Sequence, residues 1–221
     1  HYEFVQQYFS DLSNRVHIIP AGVDTNLFKP AKKPSLKDEV RLFYHGRLDK
    51  HRGVMALPML AQKLQNEGIN AKLTLIGEGD VLEKLENISR ANAWLSVLKK
   101  MKQNDLAPII NTQHIGLLPM PEYKIWALAS PLKRSEFLSS GLLVLGLKHS
   151  GHTLENTESS WFQLIPQHAF HDLAVEWIKS LNDSEFEEGS ERARTYAKNH
   201  CSWKYSTNEF NSGIQSAIRE A

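Results

Sequence analysis

One stretch decides the fold: Ser130-Pro131-Leu132-Lys133-Arg134-Ser135-Glu136-Phe137-Leu138-Ser139-Ser140-Gly141, followed by the apolar run Leu142-Leu143-Val144-Leu145-Gly146. Pro131 suits the first turn of a helix, where its missing N–H would have no partner, and Ser130 is expected to cap that helix. Gly141 is expected to end the helix, and the apolar run is typical of a buried strand in a parallel sheet. The stretch therefore predicts one helix–strand unit of an α/β domain.

The start of this predicted helix is suited to binding an anion. Its free N–H groups and the helix dipole attract phosphate. Lys133 would lie in the first turn, where a cation is unfavourable for the dipole unless an anion binds there. Glu136 lies one turn further on, where its carboxylate could accept hydrogen bonds from sugar hydroxyls. The alternative on this stretch alone is a surface helix with ordinary charges.

Similar units recur along the chain. Helical patterns, such as Val54 to Asn66, separate apolar segments with the composition of strands. With Leu142 to Gly146, these segments make six predicted strands, and the other five are Val40–Arg47, Ala71–Gly77, Trp94–Leu98, His114–Pro119 and Trp161–Ile165. Alternating strands and helices predict an open, Rossmann-like, mostly parallel sheet flanked by helices, because six units are too few for an eightfold barrel.

The pattern divides the chain into three segments. Residues 1–30 are expected to be a helix and linker, with a helix from Tyr2 to Ser13 and a short strand from Val16 to Pro20. Residues 31–200 form the Rossmann-like domain, and residues 201–221 a C-terminal helix. Because the sequence opens in the middle of a predicted helix, we expect it to be a fragment of a longer protein.

Composition excludes several classes of function. The formal net charge of +1 argues against a nucleic-acid partner, and no apolar run approaches the ~20 residues that span a bilayer. The single Cys201 cannot form an intramolecular disulfide, which fits a reducing compartment. The histidines lack the spacing of a known metal motif, so no metal site is expected.

Charged and glycine residues follow several of the predicted strands. Gly46 would let the backbone pass close to a ligand, and Arg47 and Arg52 carry guanidinium forks that match phosphate oxygens. The residues between the two arginines, 49 to 51, are interpreted as solvated spacers. Gly77 and Gly79 resemble part of a nucleotide loop or serve only a turn, since neither a Gly-x-Gly-x-x-Gly fingerprint nor a P-loop is present.

Three motifs now stand in order: Ile18-Ile19-Pro20-Ala21-Gly22-Val23-Asp24-Thr25-Asn26-Leu27-Phe28-Lys29-Pro30, then Gly46-Arg47-Leu48 with Arg52-Gly53, then Ser130-Pro131-Leu132-Lys133 with Glu136 and Gly141. Together they resemble the C-terminal, donor-binding domain of a family 4 glycosyltransferase of the GT-B fold. Arg52 stands where the family has Lys. Leu128 stands where the family has the first of two glutamates, as in a variant branch with the form Ser-Pro-x-Lys-x-x-Glu.

The resemblance implies that a sugar is transferred from a nucleoside diphosphate sugar, with retention of configuration and without a metal or other cofactor. It implies that Arg47 and Arg52 stabilise the diphosphate, together with Ser130, Lys133 and the N–H groups of Leu132 and Lys133. It also implies that Glu136 holds the ribose, that Met101 packs on the base, and that Gly46, Gly77 and Gly79 border the nucleotide. The choice between UDP and GDP stays open.

The resemblance further implies a partner domain. Acceptor recognition would belong to an N-terminal domain missing from this sequence, against which the first and last helices would pack. The expected location is the cytoplasm, with peripheral membrane contact through that domain left open. Two alternatives remain: a non-catalytic module that binds a nucleotide sugar or phosphate, suggested by Leu128, and an interaction domain with a solvated charged edge.

Overall fold

A computed structural model of the protein describes residues 7–8, 16–154 and 160–219. Its core is a sheet of six strands in the order β3-β2-β1-β4-β5-β6, and every neighbouring pair is parallel. The strands are β1 Val40–Arg47, β2 Ala71–Glu78, β3 Leu95–Lys99, β4 Ile115–Leu118, β5 Leu143–Leu147 and β6 Phe162–Ile165. The prediction of an open, six-stranded α/β sheet is confirmed.

Among the described residues, a helix follows every strand except β5, and three helices follow β6 to the end of the described chain. They are α1 Ala56–Asn66, α2 Leu82–Ala91, α3 Gln103–Ile110, α4 Lys124–Ala127, α5 Leu132–Ser139, α6 Phe170–Ser180, α7 Asp183–His200 and α8 Trp203–Arg219. Helix α1 packs on β2 and α6, whereas α5 packs on α7. Most of the central strands' side chains are therefore buried.

The strand order places a switch point at the centre of the sheet. The chain runs outward from β1 through β2 to β3, then returns to β4 on the other side of β1. Connections that leave in opposite directions open a crevice at the carboxyl ends of β1 and β4, which is where open α/β sheets bind ligands. The fold therefore predicts that a ligand-binding site lies in this crevice.

The stretch that predicted the fold forms α5 and β5 much as expected. Gly141 adopts a left-handed conformation (φ 67°), the N–H of Gly141 donates to O of Leu138, and that of Leu142 donates to O of Phe137. These two bonds make a Schellman motif, which satisfies the last carbonyls of the helix. Gly141 therefore ends the helix as predicted.

The predicted start of α5 is wrong by one residue. The helix begins at Leu132, Pro131 takes the N-cap position, and no side chain caps the helix. Ser130 is exposed and lies one residue too early to be the cap. An N-cap residue has an extended backbone, and so does Pro131 (ψ 112°). The φ of proline is compatible with both the cap position and the first turn, so proline can occupy either.

The N-terminal segment differs from its prediction in part. No strand forms at residues 16–20, so that prediction is wrong. The chain instead makes its first β contact as an isolated bridge between Val23 and Ser202. Val23 and Phe28 are buried in the core of the sheet domain. The predicted helix from Tyr2 to Ser13 lies outside the described residues, except for residues 7 and 8.

The last helix, α8, keeps a row of large apolar side chains on its surface. Trp203, Phe210, Ile214 and Ile218 are between 43% and 70% exposed. Among the described residues, no helix combines the length and the apolar character needed to cross a membrane.

Candidate functional site

A cleft of about 310 Å³ opens at the carboxyl ends of the strands on the β1–β2–β3 side of the switch point. Five of the residues predicted for the site line it: Gly46, Arg47, Gly77, Met101 and Glu136. Its other lining residues are His45, Ile76, Glu78, Lys100, Gln103 and Leu106. About half of the residues that line the cleft were therefore predicted from the sequence, and they come from several separate motifs.

Two glycines beside the cleft allow neighbouring groups to come close. Gly46 makes room for the cation of Lys133, and Gly77 makes room for the backbone of β1. Gly46 has φ 127°, and a Cβ on it would lie 3.0 Å from Nζ of Lys133. A Cβ on Gly77 would lie 1.8 Å from O of Gly46, so β1 and β2 could not pair there with any larger residue. Gly79 does not line the cleft; a Cβ on it would lie 2.3 Å from the backbone of Leu48.

Lys133 carries a cation from the first turn of α5 into this crowded place. Its Nζ lies 3.4 Å from the Tyr44 hydroxyl oxygen and 4.4 Å from the centre of the Tyr44 ring. Burial and, to a smaller extent, the positive charge of Arg52 lower the pKa of Lys133 to about 8, against the opposing effect of Glu136. An anion bound here would recover much of this electrostatic cost.

Arg47 and Arg52 converge on one carboxylate. Arg47 donates from Nε to Oδ2 and from Nη2 to Oδ1 of Asp49, at 3.1 Å each, and Nε of Arg52 lies 3.7 Å from Oδ2. Asp49 is only 7% exposed, so its interpretation as a solvated spacer is wrong. Hydrogen bonding with Arg47 lowers the pKa of Asp49 and raises that of Arg47. Asp49 therefore fixes both guanidinium groups in place.

An aromatic side chain covers Arg52. The guanidinium carbon lies 4.4 Å from the centre of the Trp126 ring, and His51 stacks on the same ring at 5.9 Å. Trp126 belongs to the short helix α4 within the loop between β4 and α5. The sequence analysis gave Trp126 no role, because nothing in the sequence relates position 126 to position 52.

Glu136 is buried (3% exposed) and held from two sides. Its Oε2 lies 2.8 Å from Nε2 of His45, and the side-chain amide of Gln103 donates to Oε1 at 3.3 Å. His45 and Gln103 were missed by the sequence analysis. Position 45 directly precedes Gly46 on β1, so its place at the strand end was a usable signal, whereas Gln103 is brought here only by the fold.

The remaining predicted residues lie at the margin of the site. Ser130 and Leu132 are exposed at the start of α5 and do not line the cleft. The first N–H groups of a helix have no intrahelical partner, so those of Leu132 and Lys133 can serve a ligand. Leu128 is 39% exposed and apolar, and it brings no acceptor to this loop.

The geometry has the form of an anion site joined to a pocket. Lys133, Arg52 and Arg47 supply positive charge at the switch point, and a narrow cleft with a buried carboxylate adjoins them. Phosphate groups fit the first part, and a hydroxyl-bearing group fits the second, because a carboxylate accepts hydrogen bonds from hydroxyls.

Comparisons by sequence find no matching family model and no similar curated protein. Solved structures are similar in fold. This chain is 17% identical to a chain of the GtfA/B complex, with a TM-score of 0.73. The match covers 99% of this chain and 44% of that one. The pneumococcal O-GlcNAc transferase GtfA in complex with UDP and GlcNAc is 14% identical, with a TM-score of 0.62, covering 97% of this chain and 43% of that one.

A third structure matches over its whole length. It is the C-terminal domain of the group 1 family glycosyl transferase LpcC from Francisella tularensis, which is 14% identical with a TM-score of 0.62 and covers 82% of this chain and 100% of that one. The chain thus spans less than half of the two longer structures and corresponds to a single domain of this one. It has the fold of one half of a GT-B glycosyltransferase.

Proposed function

We propose that this chain is the donor-binding half of a glycosyltransferase and binds a nucleoside diphosphate sugar at the carboxyl edge of its sheet. The observation that carries the proposal is the position of Lys133: a half-buried cation with a lowered pKa, in the first turn of a helix, beside the arginines at the switch point. Such a cation is unfavourable unless it meets an anion.

The cations are proposed to stabilise the departing diphosphate. As the bond to the sugar breaks, negative charge develops on the leaving phosphate, and fixed positive groups lower the energy of that state. Asp49 and Trp126 hold the two arginines before any ligand arrives, so little reorganisation is needed. With this charge supplied by side chains, the proposed transfer needs no metal. Retention of configuration is proposed on the family resemblance alone.

The nucleoside is proposed to occupy the cleft of about 310 Å³. Glu136 would accept hydrogen bonds from the ribose hydroxyls, with His45 and Gln103 orienting its two oxygens. Met101 would pack on the base from the loop that follows β3. UDP is the first nucleotide to test, because a structure of similar fold was solved with it.

The rest of the enzyme belongs to the same proposal. An N-terminal domain would bind the acceptor, and the exposed apolar side chains of α8 would pack against it. A cytoplasmic location, with or without peripheral membrane contact through that domain, is part of this proposal as well. Leu128 favours one alternative, a module that binds a nucleotide sugar without transferring it, because this exposed position offers no acceptor to a sugar.

Calorimetric titration with UDP, GDP and ADP tests the proposal. At least one nucleotide should bind, and Lys133→Met should weaken that binding at least about tenfold, because hydrogen bonds to charged groups contribute roughly 1.5–3 kcal/mol. Lys50→Met is the matched control, since Lys50 is an exposed lysine at the same edge. No binding by any nucleotide, or equal binding by Lys133→Met, contradicts the proposal.

Glu136→Gln tests the ribose role separately. It should weaken the binding of the nucleoside diphosphate much more than that of pyrophosphate, which has no ribose. An equal loss for both ligands contradicts the assignment. Transfer or donor hydrolysis by the full-length protein then separates the enzyme from the non-catalytic module.

A further inference from the structure

Tyr44 on β1 is a fully buried residue of the core, and the sequence analysis gave it no role. Phe43, directly before it, is buried to the same extent without a polar group. A buried hydroxyl group is costly unless it forms hydrogen bonds. Among the described residues, the hydroxyl of Tyr44 has two hydrogen-bond partners, Arg47 and Lys133, and both were predicted for the site.

The hydroxyl group of Tyr44 donates its proton to the end of β1. Its oxygen lies 2.8 Å from O of Arg47, and a carbonyl oxygen can only accept, so the hydroxyl is the donor. Between the two residues, the backbone of Gly46 has a φ of 127°, a conformation that favours glycine. The bond from Tyr44 therefore fixes the backbone from which the Arg47 side chain reaches Asp49.

The same hydroxyl group accepts a hydrogen bond from Lys133. Nζ of Lys133 lies 3.4 Å from the hydroxyl oxygen and 4.4 Å from the centre of the Tyr44 ring. An ammonium group can only donate, and burial raises the pKa of Tyr44, so the phenol keeps its proton and offers a lone pair to Lys133. The face of the aromatic ring attracts the cation as well. Tyr44 therefore holds the ammonium group by two different contacts.

Tyr44 thus connects two cations that come from separate motifs. Arg47 ends β1 and Lys133 lies at the start of α5, so neither motif fixes its distance to the other. Gly46 makes the contact possible, because a Cβ on it would lie 3.0 Å from Nζ of Lys133 and 3.7 Å from the Tyr44 hydroxyl oxygen. The two cations are therefore held at a set spacing before a ligand arrives, which lowers the cost of binding an anion.

We infer that Tyr44 is a positioning residue, whose hydroxyl group sets Arg47 and Lys133 at the spacing that the phosphates of a nucleoside diphosphate require. The inference rests on the proposed function, which places those phosphates at the two cations. Because Tyr44 has no exposed surface, it acts through the backbone of Arg47 and the ammonium group of Lys133. The ring of Tyr44 belongs to the core, and its hydroxyl group serves the site.

Tyr44→Phe tests the inference, because it removes the hydroxyl group and keeps the ring, its packing and its contact with the cation. The probe is UDP, or GDP or ADP if one of them binds better. At pH 7.5 the variant should bind the nucleotide about three- to tenfold more weakly, the loss expected of one hydrogen bond. Tyr123→Phe is the matched control and should change affinity by no more than about twofold, since Tyr123 is exposed in the loop after β4.

The titration of Lys133 distinguishes positioning from a purely structural role. It is followed without nucleotide through the ¹³Cε signal of Lys133, which Lys133→Met assigns. Loss of an acceptor disfavours the charged ammonium group, so the midpoint should fall by about half a pH unit or more in Tyr44→Phe, and the alkaline loss of UDP affinity should begin at a correspondingly lower pH. The other ionisable side chains around Lys133 are the same in both proteins: Arg52, Glu136 with His45 beside it, and His152.

A double-mutant cycle measures the connection between the two residues. Tyr44→Phe should weaken UDP binding less in the Lys133→Met background than in the unsubstituted chain, because only the bond to Arg47 is then lost. An unchanged titration midpoint of Lys133, or an equal loss of UDP affinity in both backgrounds, overturns the inference. Failure of the proposed function is a different result, in which no nucleotide binds to the unsubstituted chain while the midpoint of Lys133 still moves in Tyr44→Phe.

Discussion

At the scale of single residues, Lys133 is the most informative position. In the sequence it is a cation in the first turn of a predicted helix, where the dipole disfavours it. In the structure it lies against Gly46 and the Tyr44 ring, near Arg52 and Glu136. Both the position of Lys133 in the helix and its tertiary surroundings are therefore unfavourable for a cation. This combination is expected of a residue that binds a ligand.

The lowered pKa of Lys133 predicts how nucleotide affinity depends on pH. With a pKa of about 8, the ammonium group loses its proton as the pH rises from 7.5 to 9, whereas a bound diphosphate favours the protonated form. UDP affinity should therefore fall about tenfold by pH 9 if only the charged form binds. Calorimetry across this range measures it, with Lys133→Met giving a much flatter profile; an equally steep profile in that variant would assign the titration to another group.

At the scale of elements, helix α5 is held at both ends by arginines that bond to backbone. Arg134 joins the start of α5 to the segment after β5, and Arg194 of α7 joins its end to the N-terminal segment before β1. Arg194 donates to O of Phe28, O of Ser139 and O of Thr25 at 2.7–2.8 Å. The helix that presents Lys133 and Glu136 is thereby fixed relative to both of its neighbours.

Replacing Arg194 should therefore destabilise the fold. Arg194→Met removes the donor to O of Ser139 and O of Thr25, whereas O of Phe28 keeps the Ser139 hydroxyl as a donor; the loss should lower the free energy of unfolding by about 2–4 kcal/mol. Urea denaturation measures it. Arg192→Met is the control on the same helix; Arg192 makes an exposed pair with Glu188, so its loss should change stability by no more than about 0.5 kcal/mol. Equal costs for the two variants would remove the role given to Arg194.

At the scale of the whole molecule, two buried histidines bond to the backbone, and one of them, His114, joins separate parts of the chain. His114 accepts from the N–H of Arg41 at 2.9 Å through Nδ1, and its Nε2 lies 3.1 Å from O of Pro34. Nδ1 of His152 lies 2.7 Å from O of Leu147. Both are fully buried, and burial lowers their pKa values to about 4 and about 3.

These histidines predict that the protein loses stability in mild acid. In the unfolded chain they take up protons below pH 6.5, but in the folded chain they stay neutral, so the unfolded state binds more protons. Between pH 7 and pH 5 each should reduce the free energy of unfolding by about 2 kcal/mol. Urea denaturation at both pH values measures the loss, which should be smaller by about 2 kcal/mol in His114→Asn; an unchanged loss would mean that His114 does not titrate on unfolding.

Much of the fold could be predicted from the sequence, because its signals are local. Hydrophobic runs separated by helical patterns fixed the six strands, and Gly141 fixed the end of α5 through its left-handed conformation. The exact starts of helices were less predictable. Val81, not the neighbouring polar Asp80, takes the N-cap position of α2, and the carboxylate of Asp80 accepts from the N–H of Lys50 instead.

By itself, the sequence determined the sheet, its carboxyl edge, and the charged residues that lie there: Arg47, Arg52, Lys133 and Glu136. Each belongs to a local motif next to a strand or helix end. Only the tertiary structure decided what surrounds them. Contacts between distant segments place Trp126 over Arg52, and His45 and Gln103 on Glu136. Periodicity and spacing describe neighbours along the chain, whereas these contacts arise from how parallel strands bring their carboxyl ends together.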